Sequence, residues 1–182
     1  MNIFVIGGAK SGKSMFAQRL AKKMAYEEGR SLYYVATMIP YDDEDKARIV
    51  RHRKEREGWG FETIEWGRDI ERLIYMKDFD RDGVFLIDSV TALVGNEIFD
   101  ENWNLIEGAG AKAAAGLLRF AEGTGNTVFV SDFLHGDTYE GSGKYDFSTE
   151  EYMKSLAYAG RQLADVCDKV YRLNAGIAEE WK

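Results

Sequence analysis

Apolar positions along this chain fall into two alternating periods. Short, nearly unbroken runs rich in β-branched and aromatic side chains read as buried strands: Asn2-Ile3-Phe4-Val5-Ile6, Ser31 to Ala36, Val84 to Asp88, Thr127 to Asp132, and Lys169 to Asn174 as the closing strand. Phe61 to Glu65 reads as a shorter one. Between them the spacing turns helical. Ser14 to Tyr26 places Phe16, Leu20, Ala21 and Met24 on one face, and Glu27-Glu28-Gly29-Arg30 stops that helix. Further helices are expected over Lys46–Arg56, Asp69–Met76 (with Ile70, Leu73 and Ile74 inward), Ser89–Phe99 and Ala111–Glu122. Gly123 to Asn126 reads as a turn, and His135 to Asp146 as a glycine- and aromatic-rich loop near the nucleotide edge. Ser148-Thr149-Glu150-Glu151 opens the last helix, which runs to about Cys167. Strands alternating with helices predict an α/β fold with a mostly parallel sheet covered on both faces, in one domain spanning residues 1–182.

The first strand and helix flank Gly7-Gly8-Ala9-Lys10-Ser11-Gly12-Lys13-Ser14, which fills every fixed position of G-x-x-x-x-G-K-[ST]. Phosphate oxygens must be met by several backbone N–H groups at once, and side chains would obstruct that approach. The helix N-terminus adds unsatisfied N–H groups and a positive dipole end. Lys13 can reach the β- and γ-phosphates, and the Ser14 hydroxyl can ligate Mg²⁺. A plain glycine turn has the same composition, but here strand and helix stand on either side. The motif predicts a P-loop NTPase sandwich of three layers, similar to the RecA-like kinases, and a nucleoside triphosphate ligand. It does not predict what is done with the nucleotide.

A second strand end points to the same chemistry. Val84-Phe85-Leu86-Ile87-Asp88 is an apolar strand ending in a carboxylate, the Walker B pattern, where Asp88 can act on Mg²⁺ or its water. The alternative is an Asp that caps the next turn.

Charge narrows the partners. The formal net charge of −7 argues against a general nucleic-acid or anionic-membrane surface. No apolar stretch reaches the length of a membrane span, and the N-terminus enters the first strand directly, so no signal peptide is expected. The single cysteine, Cys167, fits a reducing cytoplasm and a core position better than a nucleophile. Within this acidic chain, Lys46 to Arg56 is strongly basic and follows the acidic run Asp42-Asp43-Glu44-Asp45. Acids favour a helix start. The cationic helix can neutralise a second phosphorylated group near the P-loop.

Two histidines exist, too few for a histidine-rich metal site. His52 lies between Arg51 and Arg53, as a solvent-facing helical residue or as a nucleophile whose neutral form cationic neighbours favour. His135 reads as a loop residue.

The P-loop, Tyr34-Val35-Ala36-Thr37, Asp42-Asp43-Glu44, Arg48-Ile49 with His52-Arg53, Thr63-Ile64-Glu65 and Leu86-Ile87-Asp88-Ser89-Val90-Thr91 together resemble the bifunctional adenosylcobinamide kinase / adenosylcobinamide-phosphate guanylyltransferase family of cobalamin biosynthesis. The resemblance implies two reactions. A nucleoside triphosphate, ATP or GTP, phosphorylates the aminopropanol hydroxyl of adenosylcobinamide. GMP then passes from GTP to that phosphate through a guanylylated histidine, with loss of pyrophosphate. Carried onto this chain, His52 is the nucleophile, Lys13 serves the phosphoryl transfer, and Gly7 to Ser14 hold the triphosphate. Thr37, Arg53, Arg56, Glu65 and Asp88 fall where the nucleotide or Mg²⁺ is touched, with Ser14 and Asp88 on the metal. A homotrimer is implied too. The later half departs from the family pattern. The proline after the histidine helix is absent, the asparagine–glutamate strand end stands as Ser131-Asp132, and the asparagine–glutamine pair of the last helix is not evident around Gly160-Arg161-Gln162. Two other functions remain open from sequence: a P-loop kinase of another small hydroxylated molecule, and a nucleotide-binding module without turnover.

Overall fold

The computed structural model describes residues 1–133 and 147–182. The expected loop at 135–146, with His135, lies outside the described residues. In chain order the elements are β1 (Ile3–Gly7), α1 (Lys13–Glu28), β2 (Leu32–Ala36), α2 (Asp43–Glu55), β3 (Glu62–Glu65), a 3₁₀ helix (Ile70–Tyr75), β4 (Val84–Asp88), α3 (Val90–Ile98), α4 (Ala109–Thr124), β5 (Thr127–Asp132), α5 (Phe147–Val166), β6 (Lys169–Asn174) and β7 (Ile177–Glu180).

The strands form one sheet in the order β3-β2-β4-β5-β1-β6-β7. Every pairing is parallel except β6 with β7. Alternate side chains of the central strands therefore feed two cores. Phe85, Ile87 and Phe129 face α3, α4, α5 and the 3₁₀ helix, whereas Val84, Leu86, Val128 and Val130 face α1. Burial on both faces explains why these strands read as continuous apolar runs. Cys167 is fully buried one residue beyond α5, and burial pushes its thiol pKa up to about 12, so it is a core residue.

Three expectations need correction. Lys169–Asn174 does not close the sheet. A two-residue turn at Ala175-Gly176, both with positive φ, sends β7 back antiparallel along the edge. All four β7 residues are exposed, so no buried face marks the strand in the sequence. The Asp69–Met76 helix is a 3₁₀ segment of six residues that starts from Asp69 at φ 47. Ile70, Leu73 and Ile74 are buried as expected. The helix expected to end at Glu122 continues as α4 through Thr124 and stops at Gly125 (φ 69). A glycine inside the helix is tolerated because Gly123 packs against Ile74, with space for little else.

Parallel pairing brings the chemistry to one edge. Gly7 is in register with Asp132, and Ala36 with Asp88. The carboxyl ends of β1, β2, β4 and β5 thus form the crevice where ligands of open α/β sheets bind. Beside it stands α2, none of whose described side chains is buried. Asp42 caps it by accepting from the Asp45 N–H at 2.8 Å, and acids in its first turn and bases in its last complement the helix dipole.

Candidate active site

The sheet leads directly into the phosphate loop. A Cβ on Gly7 would stand 2.6 Å from Ser11 Oγ and 2.7 Å from the Leu173 carbonyl oxygen, so only glycine lets β1 turn here. Gly12 opens α1 at φ 88, a region that side chains disfavour. The Ser11 N–H donates to the Gly8 carbonyl at 3.2 Å and closes the loop. Gly8 is half-buried, Ser11 is buried, and Ala9, Lys10 and Gly12 are exposed, so the loop presents part of its backbone to the crevice. Ser14 is half-buried in the first turn of α1. Lys13 Nζ donates to the Gly8 carbonyl at 3.3 Å and pairs with Asp132 Oδ1 at 2.6 Å. Its charge is thereby held at the end of β5.

Asp88 is positioned by neighbours on β2 and α3. Tyr34 Oη donates to Asp88 Oδ2 at 2.8 Å. Thr37 is fully buried. Its hydroxyl donates to the Ser89 carbonyl at 2.7 Å and accepts from the Ser89 N–H at 2.8 Å. Both directions of that hydroxyl serve the chain just after Asp88, so Thr37 holds the strand end from behind. Ser89 caps α3, accepting from the Ala92 N–H at 3.2 Å, so the cap belongs to Ser89 and Asp88 is left to the crevice.

Arginines tie the end of α2 to the sheet. Arg56 is 7% exposed, and its guanidinium lies 3.5 Å from the centre of the Tyr34 ring. Arg56 Nε is buried without a hydrogen-bond partner among the described residues. Arg56 also lines the cleft that holds His52 and Asp88, and a cationic side chain with an unspent donor there suits an anion. Arg53 forms an ion pair with Glu65 at the end of β3. These anchors set His52 half-buried, in a cleft of about 60 Å³ that it shares with Ile49, Tyr34, Arg56 and Asp88. His52 thus keeps one side on the cleft and part of its surface in solvent.

The structure thus gathers His52, Arg53, Arg56 and Asp88 around one cleft, with Glu65 reached through Arg53. Lys13 stands at the neighbouring strand end with Asp132. Ser14 and Asp88 offer hard oxygen donors that fit Mg²⁺. Among the described residues no group of three or more His, Cys, Asp or Glu could hold a metal ion. Few protein ligands is the usual arrangement where triphosphate oxygens and water complete the Mg²⁺ shell.

Two residues escaped the sequence reading. Asp132 ends an apolar strand just as Asp88 does, and the same signal could have found it. Tyr34 lies inside a recognised segment, but its hydroxyl contact crosses to another strand and left no local mark.

A family model described as cobinamide kinase / cobinamide phosphate guanyltransferase matches residues 3–180. The bifunctional adenosylcobalamin biosynthesis protein CobU of Escherichia coli (strain K12) is 39% identical over 101 residues, 55% of this chain and 51% of that protein. The CobU protein of Salmonella typhimurium is 35% identical over 99 residues, 54% of this chain and again 51% of that protein. The chain thus matches about half the length of these two relatives. The bifunctional adenosylcobalamin biosynthesis protein CobP of Pseudomonas aeruginosa is 25% identical over 177 residues, 97% of this chain and 95% of that protein. Among solved structures, the ATPase domain of G40P superposes with a TM-score of 0.53 at 11% identity, covering 95% of this chain and 69% of that chain. That likeness is one of fold, and the fold is that of the P-loop NTPases. No helix among the described residues is long and apolar enough to cross a membrane.

Proposed function

The chain belongs to the cobinamide kinase / cobinamide phosphate guanyltransferase family, and from that premise we propose that it carries out both reactions in one domain. In the first, a nucleoside triphosphate, ATP or GTP, phosphorylates the hydroxyl of adenosylcobinamide. In the second, GMP passes from GTP to that phosphate by way of His52. The observation that carries the reading is the shared cleft: His52, Arg56 and Asp88 line one cavity at the carboxyl edge of the sheet, the edge from which the P-loop also leaves.

Each group has a task that its position supports. Backbone N–H groups of Gly7 to Gly12 and the start of α1 bind the triphosphate. Lys13 leaves Asp132 and stabilises charge on the phosphoryl group in transfer. Bound at Ser14 and Asp88, Mg²⁺ supplies charge neutralisation for the phosphates. In the second reaction an imidazole nitrogen of His52 attacks the α-phosphorus of GTP. A P–N bond forms, the α–β bridging P–O bond breaks, and pyrophosphate departs with the electron pair. A phosphate oxygen of the corrinoid product then attacks the same phosphorus and returns the electron pair to His52. Arg56, whose Nε has no partner among the described residues, and Arg53 are placed to hold phosphate oxygens. By the same reading the enzyme acts in the cytoplasm as a homotrimer.

Incubation with α- and γ-labelled GTP, Mg²⁺ and adenosylcobinamide tests this. Acid-labile α-label on the protein together with γ-label on the corrinoid is the expected result. Label reaching only a small acceptor would leave a simple kinase. Reversible binding alone would leave a non-catalytic nucleotide module.

A further inference from the structure

We infer that the aromatic pocket between the chain entering α2 and helices α3 and α5 receives the acceptor alcohol of the kinase step, and that Asp132 takes the proton from its hydroxyl. The inference rests on the kinase reading above. The pocket has a volume of about 350 Å³. Its wall is a chain of rings: Tyr41 lies 5.2 Å from Trp103, Trp103 lies 5.7 Å from Phe99, and Phe99 lies 6.4 Å from Tyr152.

The ring pair at the outer end is not explained by core packing. Tyr41 is 54% exposed and Trp103 is 61% exposed. Trp103 also sits at φ 61, a conformation that a bulky side chain adopts rarely. The turn that holds it is fixed by Asp100, whose carboxylate accepts from the Asn102 and Asn104 N–H groups, both at 2.8 Å. A solvated pair of rings at a pocket rim is suited to stacking on a flat or apolar ligand body.

The inner end is polar and reaches the P-loop. Asp132 lines it with Ser89 and Thr91. The Asp132 N–H donates to Thr91 Oγ1 at 2.7 Å, which fixes the strand end, and its carboxylate stands 2.6 Å from Lys13 Nζ. Lys13 is the group that meets the transferring phosphoryl group. A carboxylate in contact with that lysine, at the foot of a pocket open to solvent, borders the space through which an attacking alcohol must come. The acceptor oxygen forms a bond to the γ-phosphorus. The bond from that phosphorus to the β,γ-bridging oxygen breaks, and the nucleoside diphosphate leaves with the electron pair. The hydroxyl proton passes to the Asp132 carboxylate. A corrinoid is too large for the pocket itself, so its hydroxyl-bearing arm enters while the macrocycle rests on Tyr41 and Trp103.

The test uses the whole protein with cobinamide, nucleoside triphosphate and Mg²⁺. Asp132→Asn is expected to lower kcat for cobinamide phosphorylation by about 10²-fold or more while binding nucleotide as tightly as the wild type, and Asp132→Glu to restore much of the loss. Trp103→Ala is expected to raise KM for cobinamide about tenfold with a smaller change in kcat. Quenching of tryptophan fluorescence by cobinamide, diminished in Trp103→Ala, reads the pocket without turnover. Wild-type kcat in Asp132→Asn, or loss of nucleotide binding in parallel with kcat, overturns the role of Asp132. Unchanged KM and quenching in Trp103→Ala overturn the pocket. A wild type that phosphorylates no cobinamide but shows Trp103-dependent quenching refutes the kinase reading and the proton transfer, and retains the pocket as a binding site.

Discussion

Tyr34 donates its phenolic hydrogen to Asp88 Oδ2 across 2.8 Å while its ring lies under the Arg56 guanidinium at 3.5 Å. One side chain therefore joins Asp88, the carboxylate we propose for Mg²⁺, to the foot of the helix that carries His52. The hydroxyl and the ring serve different partners, so they can be separated by mutation. Tyr34→Phe keeps the ring and removes the bond. Outer-shell hydrogen bonds of this type govern how a carboxylate meets its metal. We expect the Mg²⁺ concentration for half-maximal activity to rise about 10- to 100-fold, with a small change in melting temperature. A Mg²⁺ titration of both partial reactions checks it. An unchanged midpoint would remove Tyr34 from the metal site.

Lys13 is held at two points, the Gly8 carbonyl and Asp132. Lys13 is 12% exposed, but Asp132 keeps about one-third of its side chain in solvent and stays hydrated when the lysine is removed. Lys13→Ala should therefore fold, with kinase turnover reduced about 10²-fold or more. Circular dichroism and steady-state kinetics on the same preparation decide it. Near-normal turnover in the folded variant would take the P-loop lysine out of the mechanism.

Away from the crevice, Asp69 pairs with Lys112, which also reaches Glu97 at 3.2 Å. Hydrogen bonding and charge from Lys112 hold the Asp69 carboxyl below its ordinary range, against a smaller opposing effect of burial. A carboxyl depressed in the folded state adds stability above its unfolded pKa of about 3.9, and that stability is lost as pH falls through the lower folded value. Asp69→Asn should thus destabilise the protein at neutral pH, and the gap to the wild type should narrow below about pH 4. Urea unfolding at pH 7, 5 and 3 measures it. A gap independent of pH would assign the loss to packing.

How far the sequence reached can be read from particular residues. β4 and β5 were legible because both their faces are buried, leaving unbroken apolar runs that end in Asp88 and Asp132. β7 was not, because Ile177-Ala178-Glu179-Glu180 is exposed throughout and is held by backbone pairing with β6 and by contacts of Glu180 with Lys169 and Tyr171, none of which leaves an apolar run. The P-loop was legible because its chemistry is local: glycines, lysine and serine act within one turn. The links around it were not. Lys13 with Asp132, Tyr34 with Asp88 and Arg56 over Tyr34 each join separate elements, and only the sheet order makes them neighbours. His52 lies between these cases. The basic stretch marked it, but its half-buried place beside Asp88 depends on two arginines that pin the end of α2.

The last prediction concerns that placement. His52 should acquire GMP from GTP, because its imidazole shares a cleft with Asp88 and with Arg56, whose Nε has no partner among the described residues. Arg53, on the same turn, is engaged by Glu65, which orients the helix end without filling the cleft. A phosphorus–nitrogen bond to imidazole is stable in base and labile in acid, so the adduct should survive alkali and be lost on acid treatment. Mass spectrometry after incubation with GTP and Mg²⁺ should locate it on the peptide carrying His52. His52→Ala should abolish both the label and guanylyl transfer, with a loss of about 10³-fold or more, if His52 is the group that forms the covalent bond. Kinase turnover should fall far less, because that step needs no enzyme-bound intermediate. Glu65→Gln frees Arg53 and should slow guanylylation more than phosphorylation, as the end of α2 loses one of its two anchors. An adduct on His135 or on a lysine, or equal damage to both reactions in His52→Ala, would contradict the assignment.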